Sequence, residues 1–300
     1  MILHVAGLNN FTFPFVRLIQ EDFIDQNHHF WLSGSDEKYP VESTESIFVC
    51  KDGLWNKILG YGRLILQLHR AQKVFVHGLF NPRLVIIFAC CPWLLGKFYW
   101  LIWGNDLYQF NTSERGFKFR FKEFFRRFVI RRIGHLVTYV DGDVDLARKW
   151  YRANGIHHKC IMYLSNVVNP SIFEIRQKKQ FDNRNLNILL GNSADPSNNH
   201  IEALQRLLPY KNQDITIFAP LSYGDQAHAQ KVINIGQEWF GKKFVPMTEF
   251  VPFDEYVEVL GEIDIAIFNH QRQQAMGNTI TLLGMGKTVF MRTDVSQWRF

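Results

Sequence analysis

The sequence predicts an α/β protein with two parallel-sheet domains, and three observations carry this prediction. Short apolar runs recur about every 20 to 35 residues with helix-like segments between them, which is the pattern of βαβ units. The chain has 300 residues, more than one hydrophobic core usually serves. A charged segment at 176–185 separates two series of such runs. We therefore predict an N-terminal domain over residues 1–175 and a C-terminal domain over residues 176–300.

Each predicted strand is a short apolar run followed by glycine or polar residues. In the first series we expect strands at Ile2–Val5, His29–Leu32, Ser46–Val49, Lys73–Val76, Phe98–Trp103, Leu136–Val140 and Ile161–Leu164. In the second series we expect them at Leu186–Leu190, Asp214–Phe218, Lys243–Val245, Asp264–Phe268 and Thr288–Met291. The second series is short for a sheet with helices on both faces. We therefore expect the natural protein to continue beyond Phe300, or the chain to be cut there.

Composition indicates a globular protein, with 47% hydrophobic and 21% charged residues. The longest apolar run, at 84–95, is shorter than the roughly 20 residues of a bilayer span, so we expect a buried helix there. The N-terminus lacks the basic, apolar and small-residue series of a signal peptide, which favours the cytosol. The four cysteines form no CxxC pair and no HExxH occurs, so we expect reduced thiols and no metal site.

A basic, phenylalanine-rich helix is predicted between Arg115 and Arg132, where eight cations stand against one acid. Helical spacing places Phe117, Phe121, Phe124, Phe125 and Phe128 on one face and Lys118, Lys122 and Arg126 on another. The phenylalanines could be ordinary core contacts beside a solvated face. Alternatively, Lys118, Lys122, Arg126 and Arg127 bind anionic lipid headgroups or a polyanionic substrate. Nucleic acid is disfavoured because no RNA-binding or recognition-helix motif accompanies the helix.

The apolar run that ends at Gly191 is followed by small polar residues, beginning with Asn192 and Ser193. This pattern predicts a strand, a tight loop and the start of a helix. Glycine lets the backbone approach a ligand closely, and N–H groups of the loop and helix can hold a phosphate. Many strand-to-helix turns are small and polar for steric reasons alone, so both interpretations stay open.

Two more loops of the second half carry candidate ligand contacts. At 219–224, Pro220 and Tyr223 offer backbone groups and an aromatic ring that could hold a base. The segment 270–279 contains Arg272, Gln273, Gln274, Gly277 and Asn278. There a cation, amide donors and a helix N-terminus converge, which suits a diphosphate. A merely solvent-facing polar loop is the alternative.

Two strand ends of the first half carry candidate catalytic groups. Asp106 follows an aromatic strand, where a carboxylate can act as a general base or anchor a hydroxyl, although aspartate is also common in turns. His77 follows another strand, just before Asn81 and Pro82, which suit the first residues of a helix. Its alternative is a turn histidine bonded to a carbonyl. The segment Gly286-Lys287-Thr288 is not a P-loop, and GxGxxG is absent, which argues against a nicotinamide or flavin enzyme.

Five strings occur in a characteristic order along the chain, at 76–82, 102–108, 190–204, 253–256 and 272–277. They include Val76-His77-Gly78-Leu79-Phe80-Asn81-Pro82 and Ile102-Trp103-Gly104-Asn105-Asp106-Leu107-Tyr108. Together they resemble the family-56 glycosyltransferases, the bacterial TDP-N-acetylfucosamine:lipid II N-acetylfucosaminyltransferases, also called 4-alpha-L-fucosyltransferases. Family members carry a glycine before the second loop glycine, where this chain has Ala275-Met276-Gly277.

The resemblance implies a GT-B architecture, with two Rossmann-like domains facing a cleft, the nucleotide-sugar held mainly by the second domain and the acceptor by the first. It implies transfer of a deoxyamino sugar from a dTDP-sugar to an undecaprenyl-diphosphate-linked glycan, in the synthesis of enterobacterial common antigen or O-antigen. The expected location is the cytoplasmic face of the bacterial inner membrane, as a peripheral protein on its anionic surface.

Under this hypothesis Gly191, Asn192, Ser193, Arg272, Gln274, Gly277 and Asn278 bind the diphosphate, with no metal and no cofactor. Asp106 acts as base or orients the acceptor hydroxyl, and His77 is its substitute. Two rivals stay open: a noncatalytic protein that binds nucleotide-sugars or glycans, and a nucleotide-sugar epimerase of the GT-B type.

Overall fold

The computed structural model describes residues 1–9, 11–34, 39, 41–111, 116–161, 163, 185–249 and 251–299. The chain divides into two compact units, Met1–Ser165 with Arg299–Phe300, and Asn166–Trp298. The predicted boundary at 175/176, the linker at 176–184 and Arg115 lie outside the described residues.

The first unit contains a wholly parallel sheet of seven strands. They are β1 (Ile2–Gly7), β2 (His28–Ser33), β3 (Ile47–Cys50), β4 (Lys73–His77), β5 (Phe98–Leu101), β6 (His135–Val137) and β7 (Ile156–His158). The helices are α1 (Thr12–Asp22), α2 (Leu54–Arg70), α3 (Pro82–Cys90), α4 (Asn105–Tyr108), α5 (Phe117–Arg132) and α6 (Asp141–Tyr151). The strand order β3-β2-β1-β4-β5-β6-β7 is that of a doubly wound sheet.

The second unit repeats this plan with five parallel strands. They are β8 (Leu186–Leu190), β9 (Ile215–Pro220), β10 (Phe244–Met247), β11 (Ile265–Phe268) and β12 (Thr288–Met291), in the order β10-β9-β8-β11-β12. Its helices are α7 (His200–Leu207), α8 (Gln226–Phe240), α9 (Phe253–Glu262) and α10 (Met276–Gly284). The predicted α/β fold class with two parallel sheets is confirmed.

The strand predicted at 161–164 is not found at Ile161 and Tyr163, and the other two of its residues lie outside the described part of the chain. The last strand of the first sheet is β7, while Ile161 and Tyr163 lie outside any strand. Strand β7 was not predicted because its sequence is polar. Both of its histidines nevertheless have hydrogen-bond partners: His157 Nε2 lies 3.0 Å from Thr138 O, and His158 Nε2 lies 3.0 Å from His135 Nδ1. An edge strand has a partner on one side only, which makes polar residues tolerable there.

The apolar run at 84–95 forms two pieces. Helix α3 ends at Cys90, and a 3₁₀ segment follows from Pro92 to Lys97, because proline lacks the N–H that would continue the helix. Asn81 caps α3 as predicted, accepting a hydrogen bond from Arg83 N. No helix among the described residues combines the length and apolar character that a bilayer crossing requires.

Alternate residues of β1 serve the two faces of the first sheet. Leu3 and Val5 belong to the larger core cluster, with Trp31 and Trp100. His4 and Ala6 point the other way, toward α1, whose Phe15 is buried against that face. The first unit therefore has a core on each side of its sheet.

Candidate active site

Open parallel sheets bind ligands at the carboxyl ends of their strands, at the point where the strand order reverses. In the second unit this point lies between β8 and β11, and in the first unit between β1 and β4. The predicted loops at 191–200 and 270–279 leave β8 and β11, and His77 is the last residue of β4. Each unit thus presents candidate residues at its own switch point.

The loop after β8 requires its glycine. Gly191 has φ +70°, and a Cβ there would lie 2.6 Å from His200 Nε2 and 2.8 Å from Asn198 Oδ1. Any side chain at this position would therefore force both buried residues away. The sequence predicts that another group approaches the backbone closely at Gly191. It does, but that group is the side chains of His200 and Asn198 and not a ligand.

Backbone N–H groups of this loop are used within the second unit. Gly191 N donates to Ile267 O at 3.0 Å, Asn192 N to Asn198 Oδ1 at 3.1 Å, and Ala194 N to Tyr223 O at 2.8 Å. The expectation that the loop offers these N–H groups to a phosphate is therefore wrong at these three residues. The loop is held rigidly by its own hydrogen bonds, so any ligand contacts it makes would come from its side chains.

Those side chains join the three predicted loops into one cluster. Asn192 Nδ2 donates to Tyr223 Oη at 3.1 Å, and Gln274 Nε2 donates to Asn192 Oδ1 at 2.8 Å. Gln274 Oε1 accepts from Ser197 Oγ at 2.8 Å. Half of the Tyr223 side chain remains exposed. A half-exposed aromatic ring and oriented amides lie side by side at the switch point, where a nucleotide could meet both.

Arg272 is held beside this cluster by a carboxylate. Its Nη2 donates to Asp195 Oδ2 at 2.9 Å, while Asp195 Oδ1 accepts from Ser197 N at 2.9 Å. Burial alone would raise the pKa of Asp195, but the bonds from Ser197 and the Arg272 cation outweigh burial and hold that pKa below its ordinary value. The pair is therefore ionised at neutral pH, and it fixes the direction of the guanidinium.

The start of α10 contributes the remaining candidates. Ala275 precedes the helix with φ +55°, a left-handed conformation that costs a non-glycine residue about 1 kcal/mol. Gly277 and Asn278 lie in the first turn, and Asn278 Nδ2 donates to Tyr256 Oη at 2.9 Å. Gln273 is partly exposed beside them, whereas Ser193 and Pro220 are buried and shape the loops from beneath.

Two buried histidines support these loops, and sequence reasoning did not single them out. His200 is the first residue of α7, with Nδ1 3.2 Å from His228 Nε2, and His270 follows β11. Burial is the main cause that lowers the pKa of His200 to about 4 and that of His270 to about 3. Both imidazoles are therefore neutral at physiological pH. Their places next to the predicted loops were the available sequence signal.

In the first unit, Asp106 lies at the predicted edge but is fully buried. Its Oδ2 accepts from Trp100 Nε1 at 2.7 Å and Leu79 N at 2.9 Å, and its Oδ1 accepts from Trp103 N at 2.9 Å. These three donors occupy both oxygens and leave no access for a substrate hydroxyl. The assignment of Asp106 as a base is corrected accordingly: its carboxylate positions the loops that follow β4 and β5.

Arg126 also departs from its predicted place. It is buried, and it donates to Leu79 O at 2.6 Å, to Asp106 O and to Tyr151 Oη at 3.3 Å. The guanidinium fork satisfies two carbonyls of the segments after β4 and β5 and the hydroxyl of Tyr151 on α6, which explains why this cation faces inward. The expectation that Arg126 lines the solvated basic face is wrong.

The rest of α5 divides its phenylalanines between core and solvent. Phe125 and Phe128 pack against the larger core cluster. Phe117, Phe121 and Phe124 are 84%, 52% and 66% exposed. Lys118, Lys122 and Arg127 are exposed as well. The single phenylalanine face predicted from helical spacing is therefore two faces, one structural and one open.

His77 ends β4 and is almost wholly buried. Its Nδ1 lies 2.6 Å from Tyr163 Oη, and its Nε2 lies 3.1 Å from His4 Nδ1. The alternative of a turn histidine bonded to a carbonyl is not what these contacts show, since both nitrogens face side chains. Burial lowers the pKa of His77 to about 3, so the imidazole is neutral at physiological pH.

Comparison with known proteins agrees with this architecture. The family model of the 4-alpha-L-fucosyltransferases, glycosyl transferase group 56, matches residues 17–298. Anabaena HepE, solved with UDP and glucose, aligns with TM-score 0.64 at 10% identity, over 99% of this chain and 82% of that one. WaaG, a glycosyltransferase involved in lipopolysaccharide biosynthesis, aligns with TM-score 0.59 at 12% identity, over 99% and 82%.

Sucrose-phosphate synthase from Thermosynechococcus elongatus gives TM-score 0.65 at 10% identity, over 97% of this chain and 81% of that one. At such low identity these likenesses establish the fold, and the family match establishes the kinship. With two doubly wound parallel sheets and a family match along nearly its whole length, the chain belongs to glycosyltransferase family 56 and is a glycosyltransferase of the GT-B fold.

Proposed function

We propose that this glycosyltransferase moves a deoxyamino sugar of the N-acetylfucosamine type from a dTDP-sugar to an undecaprenyl-diphosphate-linked glycan in bacterial surface polysaccharide synthesis. The observation that carries the donor half of the proposal is the connected cluster at the switch point of the second unit. There Asn192 is hydrogen-bonded both to Tyr223 and to Gln274. Arg272 stands beside them on Asp195. UDP, a related nucleotide, is bound by HepE.

Leaving-group stabilisation is the main chemical task of this cluster. As the acceptor oxygen forms its bond to the anomeric carbon, the bond to the diphosphate breaks and the diphosphate takes the electron pair. The Arg272 cation, the amides of Asn192 and Gln274 and the N-terminal end of α10, with Gly277 and Asn278, would offset the growing negative charge. Because internal hydrogen bonds already fix these groups, little reorganisation is needed during the reaction.

Tyr223 is the proposed platform for the nucleotide base. Its ring is half exposed while its hydroxyl is tied to Asn192. A fixed aromatic ring stacks a base at low entropic cost. Gln273, which is partly exposed, is the proposed second contact of the base, and the buried Pro220 supports the loop that carries Tyr223.

His77 is the proposed proton acceptor, acting through Tyr163 Oη, in place of Asp106, whose two oxygens are occupied by three donors. It lies at the switch point of the first unit, it is neutral, and its Nδ1 faces the partly exposed Tyr163. The proton that the acceptor hydroxyl loses would pass to Tyr163 Oη, whose own proton His77 Nδ1 accepts.

The exposed part of α5 supports docking on an anionic membrane surface. Phe117, Phe121 and Phe124 project from the same helix as Lys118, Lys122 and Arg127. Aromatic rings enter the headgroup region, and each cation near an anionic surface contributes about 1 kcal/mol. A lipid-linked acceptor is held at such a surface, so this face would bring the enzyme to its substrate at the cytoplasmic side of the inner membrane.

One assay tests the reaction and its rivals together. Purified protein is supplied with a panel of dTDP- and UDP-sugars, with and without undecaprenyl-diphosphate glycan. We expect nucleotide release and glycan extension only when a dTDP-deoxyamino sugar and the lipid acceptor are both present. Conversion of the sugar without acceptor would identify an epimerase, and donor binding without any turnover would identify a noncatalytic binder.

A matched pair of glutamines tests the donor site. Gln274→Ala removes the link between Asn192 and Ser197, and we expect the KM for the donor to rise about tenfold. Gln271→Ala changes an exposed glutamine three positions away and should leave KM unchanged. Equal kinetics for the two variants would exclude the cluster from donor binding.

Flotation with anionic vesicles tests the membrane face. Replacing Phe117, Phe121 and Phe124 with serine should release the protein from vesicles rich in anionic lipid. The control Ile156→Ser changes an exposed apolar side chain of β7, away from α5. If the triple variant still floats, α5 is not the docking surface.

A further inference from the structure

Three histidines of the first unit stand in a diagonal row across neighbouring strands. Strand pairing places Ile2 opposite His28 and opposite Lys73, and His4 opposite Phe30 and Phe75. His28, His4 and His77 therefore lie at successive steps of two residues along β2, β1 and β4. Side chains two residues apart share a face of a parallel sheet, so all three project from the same face. The row covers about 13 Å along the strand direction, from the amino end of β2 to the carboxyl end of β4.

Hydrogen bonds connect this row without a gap. Tyr163 Oη lies 2.6 Å from His77 Nδ1, His77 Nε2 lies 3.1 Å from His4 Nδ1, and His4 Nε2 lies 2.9 Å from His28 Nδ1. At one end Trp103 Nε1 donates to Tyr163 Oη at 3.1 Å. At the other end His28 Nε2 faces Gln26 Oε1 at 3.3 Å on the exposed surface.

The partners at the two ends of the row, Trp103 and Gln26, make all of its hydrogen bonds donate in the same direction, from Tyr163 toward His28. The indole of Trp103 can only donate, which leaves the Tyr163 hydroxyl proton free to point at His77 Nδ1. His77 then carries its proton on Nε2 and donates it to His4, which in turn donates from Nε2 to His28. Every imidazole in the row has the same tautomer, and every Nδ1 is an acceptor.

Aromatic rings seal the middle of the row from water. The His4 ring stacks on Phe30 and Phe75, with centroid distances of 4.7 and 5.2 Å, and meets the edge of Phe15 at 5.6 Å. Burial lowers the pKa values of His4 and His77, and the neighbouring histidines lower that of His4 further. No carboxylate is hydrogen-bonded to the three rings among the residues that the structure describes. The row is thus uncharged and buried in its middle, with the partly exposed Tyr163 and His28 at its two ends.

We propose that His77, His4 and His28 form a proton relay that carries the proton of the acceptor hydroxyl across the sheet to solvent at His28. This inference rests on the proposed function, in which His77 is the proton acceptor. When the acceptor oxygen bonds to the anomeric carbon, its O–H bond breaks and the proton passes to Tyr163 Oη. Tyr163 gives its own proton to His77 Nδ1, His77 Nε2 gives one to His4, His4 Nε2 gives one to His28, and His28 Nε2 releases one to water.

The balance is one proton from substrate to solvent, with each imidazole changing from the Nε2–H to the Nδ1–H tautomer. No oxidant or co-reactant is required. His4 and His28 touch no substrate in this scheme and act as positioning residues through His77. The relay would leave no cation buried behind the aromatic rings after the step.

His28→Ala is the primary test because His28 is partly exposed and the variant should fold. We expect kcat to fall about 10- to 100-fold, with the KM values of donor and acceptor within twofold of wild type. Added imidazole should restore kcat by occupying the space left. The control is His29→Ala, which removes the adjacent histidine of β2 from the opposite face and should turn over like wild type. Unchanged kcat in His28→Ala, or a loss that imidazole does not rescue, would overturn the relay.

A second measurement needs no turnover and separates the relay from the proposed function. In protein with ¹⁵N-labelled histidine, long-range ¹H–¹⁵N spectra should show His77 and His4 neutral, with the proton on Nε2, from pH 8 to pH 6. A protonated imidazole or the opposite tautomer at either residue would overturn the relay even if the enzyme is active. If no donor in the panel is consumed while these spectra hold, the proposed function fails and the ordered chain stands.

Discussion

The two units share one topology and equip its switch point in different ways. In the first unit the edge at the ends of β1 and β4 is lined by rings, with His77 facing Tyr163, while the charged side chains of Asp106 and Arg126 are buried. In the second unit the edge between β8 and β11 is built from amides and an ion pair, with Gln274 on Asn192 and Arg272 on Asp195. The topology decides where ligands can bind, and the side chains decide what chemistry happens there.

The difference suits a division of labour. A buried edge with uncharged imidazoles and a tyrosine hydroxyl suits proton transfer from an acceptor hydroxyl. A polar edge with a fixed cation favours an anionic leaving group. Four changes test this contrast between the units, in falling order of expected effect.

Mild acid should weaken the protein most, since both edges hold neutral buried histidines. The pKa values of His77, His200 and His270 are lowered by burial to about 3, 4 and 3, against about 6.5 in an unfolded chain. The unfolded chain therefore binds more protons below pH 6.5, and stability falls as the pH drops from there toward 4. At pH 5 each histidine costs roughly 2 kcal/mol.

Denaturant titrations at pH 7.5, 6.0 and 5.0 would measure this loss. The raised pKa of Glu123, which burial causes, acts in the opposite direction but involves one group. The same free energy of unfolding at pH 7.5 and 5.0 would show that these histidines are not held neutral.

Arg126→Ala should cost the first unit about 3 kcal/mol, because it removes a buried cation and strands the carbonyls of Leu79 and Asp106. Arg127→Ala, at the next position on α5, changes a side chain that is 51% exposed and should cost less than about 0.5 kcal/mol. Chemical denaturation of the two variants gives the comparison directly. If both variants lost equally little stability, Arg126 would have to lie on the solvated face, as the sequence predicted.

Gly191→Ala should cost about 2 kcal/mol and weaken donor binding, because the new methyl group meets His200 and Asn198 at a left-handed position. Gly62→Ala is the control, since a Cβ there meets nothing within 4 Å and the residue lies within α2. That variant should gain stability by up to about 1 kcal/mol. Calorimetry would measure the stability of both variants, and donor titration would measure their affinity. If Gly191→Ala bound the donor as tightly as wild type, the predicted effect on donor binding would be wrong.

Ala275→Gly should have the smallest effect and the opposite sign. It relieves the left-handed strain before α10, which offsets the extra chain entropy of glycine and leaves a gain of about 0.5 kcal/mol. Thermal melting of the variant beside wild type is sufficient. A lower melting temperature would mean that Ala275 makes contacts worth more than its strain.

Much of the fold could be predicted because the signals are local. Apolar runs that end in polar residues locate the strands. Asn81 followed by Pro82 indicates the start of α3. The positions of the loops at 191–200 and 270–279 were predictable for the same reason, since Gly191 and Gly277 mark places where the chain turns at a strand end or enters a helix.

What the sequence could not predict depends on partners far along the chain. Whether Arg126 faces water or core is decided by carbonyls at Leu79 and Asp106, 47 and 20 residues away. The alignment of His28, His4 and His77 depends on strand register, which a single sequence does not reveal. Asp106 looked like an accessible carboxylate until the indole of Trp100 was placed against it.

The bracing of the loop after β8 has a consequence for how this enzyme can evolve. Its backbone N–H groups at Gly191, Asn192 and Ala194 are hydrogen-bonded within the protein, so in the proposed donor site recognition would depend on the side chains of Asn192, Tyr223 and Gln274. Backbone N–H groups are the same whatever the side chain, so recognition through them does not change with the sequence. Each of these three side chains, in contrast, can be replaced by a single substitution. Nucleotide and sugar preference can therefore drift by single substitutions while the sheet beneath stays unchanged.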